Sequence, residues 1–195
     1  MSLDEIDDFA SALLEEAKRF LEKASEVIKL DDATAADDSI VANVAGIAFL
    51  HAALMIAFSS LEAHINAVAD EMCLAPNVTV HERGVLQERE VRLENGEFSL
   101  KNTLKMTRLE DRIQFLISRF GNQPLDRAAA WWGEFKEAAR LRNELTHPKG
   151  KSEITIAQVR RALLGIIEAI DVVYRAIYQR KFPQHSRGLL SSLEF

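Results

Sequence analysis

The residues of this chain that are best suited to chemistry lie in one short stretch, from Arg142 to Pro148. An arginine guanidinium can bind two phosphate oxygens, and a histidine imidazole can take or give a proton near neutral pH. Asn143 and His147 are four residues apart and therefore share one face of a helix, whereas Arg142 lies about 140° around from His147. These groups could bind a phosphodiester and move protons at it without a metal ion.

Plainer interpretations of this stretch stay open. An arginine and a histidine five residues apart occur often by chance, and the C-terminal end of a helix attracts cations through its dipole. Bases outnumber acids by seven to three between Lys136 and Arg161. Such a charge cluster is more commonly a solvated helix face than a binding site.

Two polar residues elsewhere could support the stretch. Glu62 and Asn66 are four apart on a predicted helix, and Glu62 could reach the motif as a supporting carboxylate. A polar strip at a surface or interface is the more common explanation of such a pair. His64, with Glu62 and Asp70, lacks a second histidine at ligand spacing, so we expect no metal site and no cofactor.

The remaining reactive or aromatic residues favour structural roles. His51 stands in an apolar run and is expected to be a hydrogen-bonded core residue. Trp131 and Trp132 could stack on a base, but packing in a core or interface is the simpler interpretation. The single cysteine, Cys73, has no nucleophile context, and His81 and His185 fall in predicted loops.

Composition bounds the class of protein. The 195 residues suit one domain, 1–195, with a full core, and few glycines and prolines favour helices. One cysteine and an acidic N-terminus without a signal pattern predict a cytoplasmic protein. The net charge is −6, but residues 1–38 carry 12 acids and 4 bases, so the acidity is concentrated there.

Apolar periodicity predicts an all-α fold, an up-and-down bundle of about five helices. Alternating polar and apolar residues around Asn95-Gly96 predict a small β-hairpin inside a 77–107 insertion. Residues 183–195 form a tail without pattern. The expected helices are about 3–30, 40–74, 109–120, 126–146 and 155–181.

The second predicted helix has an alternative interpretation. Residues 39–60 carry no formal charge, so the segment could span a membrane. Asn43, Gly46 and His51 interrupt it, and no Lys, Arg, Trp or Tyr anchors its ends. Because the other helices each need an apolar partner, we expect a buried core helix and no membrane.

The stretch resembles a known signature. Here an arginine is followed by a polar residue, Asn143, and His147 comes four residues later. Pro148 then closes a late helix of a small all-α domain. This arrangement is similar to the motif of the HEPN superfamily. The charged hairpin and the helix after it look most like the RiboL-PSP-HEPN or MAE-type group. The helical arrangement covers most of the chain.

The resemblance implies a metal-independent endoribonuclease of the toxin or antiviral-defence type. It would act as a homodimer, and a cognate antitoxin could restrain it. The ribose 2′-OH would attack the adjacent phosphate and leave a 2′,3′-cyclic phosphate. His147 would be the general acid or base, Arg142 would stabilise the phosphorane, and Asn143 would position His147 or the phosphate. Arg140, Lys149 and Lys151 would bind RNA.

A different class of function stays open beside the enzyme. A non-catalytic HEPN module that binds a nucleotide, RNA or a partner protein would carry the same motif. The acidic net charge favours that module, because an acidic protein attracts RNA poorly. A motif paired with the chain's own carboxylates would also favour it.

Overall fold

The structure is a computed structural model that describes residues 3–31, 36–122, 124–147 and 154–186, without the side chains of 3–7, 29–31 and 36–43. It confirms a mostly α-helical fold with a small antiparallel hairpin. In chain order the described elements are α1 (Leu3–Asp31), α2 (Ala36–Met72), α3 (Val80–Leu86), β1 (Arg89–Glu94), β2 (Glu97–Leu104), α4 (Leu109–Phe120), α5 (Ala130–Thr146), α6 (Ile156–Tyr178) and a 3-10 turn (Pro183–Ser186).

The long helices α1 and α2 pack against each other through small residues. Ala10, Ala17 and Ala24 of α1 and Ala53 and Ala57 of α2 are all completely buried. Alanines let two helix backbones approach closely, and here the Ser60 hydroxyl of α2 donates to the Ala10 carbonyl at 2.6 Å. The pair forms one side of the core.

Helix α2 is a central helix, as the sequence predicts for its uncharged stretch. It packs on α1, on α6 and, more lightly, on α3, α4 and α5. Leu50, Leu54, Leu61 and Ile65 are buried along it. By length and composition alone, its Val44–Met72 part is one helix of the described chain that could cross a membrane, and 44% of its most apolar window is buried.

The hairpin forms around the predicted turn. Asn95 and Gly96 both have positive φ, 54° and 86°, which is the backbone that a two-residue turn between twisted strands requires. Val91 then pairs with Leu100 and Leu93 with Phe98. The strands of this insertion pack on the short helix α3.

That short helix, Val80–Leu86, is missing from the predicted elements. Thr79 and Glu82 form a capping box at its start, in which each residue's side chain bonds the other's backbone N–H. Helix α5 also begins at Ala130 and not at 126, because the Asp126 carboxylate accepts from the Ala128 N–H and holds a turn there. Helix α6 ends at Tyr178, before a left-handed Gln179.

Candidate functional site

An open cleft of about 570 Å³ lies between α2, the C-terminal half of α5 and the start of α4. Arg142 and Asn143 line it from α5, and Glu62 and Asn66 line it from α2. The structure therefore brings four of the predicted site residues to one surface. They come from helix segments 80 residues apart in the chain.

Arg142 is held at this cleft by three neighbours. Its Nη2 lies 3.4 Å from Glu62 Oε1, and its Nη1 donates to Asn143 Oδ1 at 3.3 Å. The guanidinium carbon also lies 6.0 Å from the centre of the Phe58 ring. About a third of the Arg142 side chain, 34%, remains exposed, so a ligand in the cleft can reach it.

Asn66 contacts Arg112, an arginine that the sequence does not single out. Arg112 of α4 donates from Nη1 to Asn66 Oδ1 at 2.8 Å and from Nη2 to the Leu86 carbonyl at 2.9 Å. Its Nη1 also lies 3.2 Å from Glu88. Burial lowers the pKa of Arg112, and Glu88 opposes that change most strongly. Arg112 thus ties α4 to α2 and to the chain that enters the hairpin.

His147 stands at the end of α5, one turn beyond Asn143. Its backbone N–H donates to the Asn143 carbonyl at 2.9 Å, and its backbone then leaves the helix. The side chain is exposed, and it does not line the part of the cleft formed by described residues. Among the described residues of one protomer, therefore, His147 does not line the cleft that contains the Arg142 guanidinium.

Of the three bases predicted to bind RNA, the structure describes one, Arg140. Arg140 forms ion pairs with Glu137 and Glu144 of its own helix, and these two carboxylates raise its pKa. Its charge is therefore already compensated, although the side chain is exposed. Lys149 and Lys151, like Pro148, lie outside the described residues.

The cleft has no net charge within the described residues. Three arginines face three glutamates in its lining: Arg108, Arg112, Arg142, Glu62, Glu88 and Glu110. Its rim also includes Met106, whose side chain is largely exposed. The described surface therefore offers individual guanidinium groups, two of them paired with glutamates, and not a broad positive field.

The burial of His64 and of His51 differs from what the residues next to them in the sequence suggest. His64 is completely buried, and its Nδ1 lies 3.3 Å from the Tyr174 hydroxyl. The prediction of a hydrogen-bonded core position for His51 was wrong. That residue is only partly buried, its Nε2 has no hydrogen-bond partner among the described residues, and burial lowers its pKa.

The tryptophans and the cysteine have structural surroundings. Trp132 is buried in the core, 5.5 Å from Phe135 between ring centres, and Trp131 packs edge-on against it. Cys73 is buried too, and its pKa is raised mainly by that burial. Neither feature presents a reactive or stacking group to the cleft.

Comparison with known proteins adds no relative to these observations. The chain matches no protein-family model, no curated protein and no solved structure. The features of the chain that bear on its function are consequently the geometry of the cleft and the motif at the end of α5.

Proposed function

We propose that the protein is a metal-independent endoribonuclease whose active site is completed by a second copy of the chain. The observation that carries the proposal is the placement of Arg142. A single cleft exposes its guanidinium beside Asn143, at the end of the helix that continues to His147. Glu62 holds that guanidinium from the neighbouring helix.

Each group has a defined task in cleaving RNA. The ribose 2′-OH attacks the adjacent phosphorus, and the bond from phosphorus to the 5′ oxygen breaks. A base must accept the proton of the 2′-OH, and an acid must give one to the departing 5′ oxygen. Arg142 neutralises the charge that builds up on the phosphate oxygens, and Asn143 positions the phosphate. The products carry a 2′,3′-cyclic phosphate and a 5′-OH.

A second protomer supplies what one chain lacks. The motif contains one imidazole, His147, and this side chain is exposed at a helix end and not inside its own cleft. Acid–base cleavage uses two proton-transfer groups, so two copies of His147 brought together by a two-fold axis fulfil both tasks. The substrate is RNA and not DNA, because the attacking group is the 2′-OH.

The proposed setting is a cytoplasmic toxin or antiviral effector. Arg140, Lys149 and Lys151 would bind the RNA backbone, and Arg140 would first have to leave Glu137 and Glu144. An antitoxin that covers His147 and the cleft mouth would block both the RNA and the second protomer.

The decisive experiment measures cleavage of single-stranded RNA in EDTA by wild-type protein and by His147→Ala and Arg142→Ala. We expect wild-type cleavage with cyclic phosphate ends and at least a hundredfold loss in each variant. His81→Ala is the matched control, because His81 is an exposed histidine outside the motif. Cleavage that survives His147→Ala, or that requires Mg²⁺, would contradict the mechanism.

Co-expression tests the composite site. If both protomers contribute His147, an equal mixture of wild-type and His147→Ala chains retains about one quarter of the wild-type activity, because about one dimer in four has two intact copies. Independent sites would instead retain about one half. This measurement separates a shared active site from two complete ones.

One observation favours a non-catalytic binding module as the second candidate. Two of the described cleft arginines, Arg112 and Arg142, are paired with glutamates of the same chain, and the described lining carries no net charge. Such a surface would bind a nucleotide or a partner protein through individual guanidinium groups. Binding of RNA or nucleotide without cleavage, unaffected by His147→Ala, would support this function instead.

A further inference from the structure

Three residues with metal-binding side chains meet where the 3-10 turn packs on α6. Glu168 and Asp171 come from α6, and His185 comes from the turn Pro183–Ser186. One ligand atom of each lies within 4.8 Å of the others. His185 Nε2 is 2.7 Å from Glu168 Oε1 and 3.8 Å from Asp171 Oδ2.

Asp171 is the unusual member of this cluster. Its side chain is completely buried, and Oδ1 accepts from the Phe182 N–H at 2.9 Å. The other oxygen, Oδ2, faces His185 and accepts no hydrogen bond within the described chain. The Arg175 guanidinium lies 2.5 Å from it and His185 Nε2 lies 3.8 Å from it, but neither makes a hydrogen bond to it within the described chain. The charge of this buried oxygen is therefore balanced by one cation, Arg175, without a hydrogen bond in the described chain.

The spacing of the three ligand atoms suits a small tetrahedral ion. Zinc binds nitrogen and carboxylate oxygen at about 2.0–2.2 Å, which places neighbouring ligand atoms roughly 3.3 Å apart. The two distances from His185 lie on either side of that value, so small side-chain rotations satisfy it. An imidazole with two carboxylates also favours zinc over magnesium or calcium, which prefer oxygen ligands alone.

We propose that Glu168, Asp171 and His185 bind one zinc ion, with a water molecule as the fourth ligand. The ion replaces the Arg175 guanidinium beside Asp171 Oδ2. Arg175 can leave Asp171 because 49% of its side chain is exposed, so water solvates the freed guanidinium while the ion balances the charge of the buried carboxylate. The bound ion fastens the turn that follows α6 to the helix itself.

This zinc site is separate from the cleft that contains Arg142. Leu141 of α5 lies level with Gln158 and Arg161 of α6, since these three residues line one surface depression. Glu168 and Asp171 are about ten residues, or roughly 15 Å, further along α6. Removing the ion therefore weakens the attachment of the turn and leaves the groups proposed for RNA cleavage in place.

The test is titration of the full-length, EDTA-treated protein with zinc chloride and, for its visible absorption, cobalt chloride. We expect one ion per chain, cobalt bands of a four-coordinate site, and a melting temperature raised by about 5 °C or more at a hundredfold excess over Kd. Magnesium chloride should produce no such rise. Acid should weaken zinc binding, because protons compete for the imidazole.

Three variants make the result specific. His185→Ala should weaken zinc binding at least tenfold, whereas His81→Ala, which removes an exposed histidine elsewhere, should leave it unchanged. Arg175→Met should bind zinc more tightly than wild type, and a misfolded protein would not show such a gain. Binding that is equal in wild type and His185→Ala, or weaker in Arg175→Met, would overturn the proposal.

Discussion

Glu62 of α2 and Arg142 of α5 form an ion pair across the cleft, with 3.4 Å between Oε1 and Nη2. The pair joins two helices that meet only lightly elsewhere. It also means that a phosphate entering the cleft must share Arg142 with a carboxylate. Glu62 therefore both fixes the guanidinium and competes with the ligand.

The first prediction follows from this competition. In a His147→Ala background, which prevents cleavage, Glu62→Gln should tighten binding of single-stranded RNA roughly threefold and steepen its salt dependence by about 0.7 in the log–log slope. Titration at several salt concentrations measures both. The matched control is Glu134→Gln, which removes an exposed charge of α5 outside the cleft lining. Equal effects of the two substitutions would mean that Glu62 acts through net charge alone.

A second prediction concerns the buried Arg112. Arg112→Met should lower the free energy of unfolding by about 3–5 kcal/mol, because it leaves Glu88 without its partner in a largely buried place. Arg119→Met, on the same helix, should cost at most about 1 kcal/mol, because its pair with Glu82 is more exposed. Urea denaturation of both variants compares them directly. Similar losses would show that burial does not distinguish the two pairs.

The third prediction uses two helical glycines. A Cβ at Gly165 would lie 3.0 Å from the Phe135 nitrogen and 3.0 Å from the Glu134 Cβ, so Gly165→Ala must push α5 away from α6. We expect a loss of about 1–3 kcal/mol in the free energy of unfolding.

Gly133 provides the matched control for that substitution. A Cβ there meets nothing within 4 Å, so Gly133→Ala should stabilise the protein by about 0.5–1 kcal/mol through helix propensity. Thermal and urea unfolding measure both. A stabilising Gly165→Ala would mean that α5 and α6 are less closely packed than described.

A fourth prediction concerns acid stability. Burial lowers the pKa of His51 from 6.5, so the unfolded chain takes up a proton at this residue more readily than the folded protein does. The contribution of His51 to the free energy of unfolding is therefore fully present above about pH 6.5 and is lost as the pH falls. As the pH falls from 8 to 5, the stability of His51→Gln should therefore rise relative to that of wild type. Melting temperatures of the two proteins at both pH values test this, and a constant difference would contradict it.

The helices were predictable where one period governs a long segment. The apolar stripes of α1 and α6 follow the helical repeat. The Asn95-Gly96 turn follows a local sequence preference of hairpins. Helix α3 was missed because seven residues are too short for a period to appear. The Thr79–Glu82 capping box was the available signal, and it spans the start of that helix.

The cleft was predictable only in part. The four-residue spacing of Glu62 and Asn66 placed them on one face of a helix, and the structure brings that face to Arg142. The role of Arg112 could not be inferred, because the burial of an arginine depends on partners from distant elements, here Leu86 and Glu88. The cluster around His185 was hidden for a similar reason. It requires the chain to turn back at the left-handed Gln179.

The alanine contact between α1 and α2 has a consequence for synthesis. The ribosome completes α1 before the uncharged stretch of α2 emerges, so a matching surface for that stretch is already available when it appears. If a circularly permuted gene encoded α1 last, the most hydrophobic helix of the described chain would emerge from the ribosome before its packing partner had been made. Such a permuted chain would aggregate during translation or be taken up by membranes, even though its finished fold would be the same.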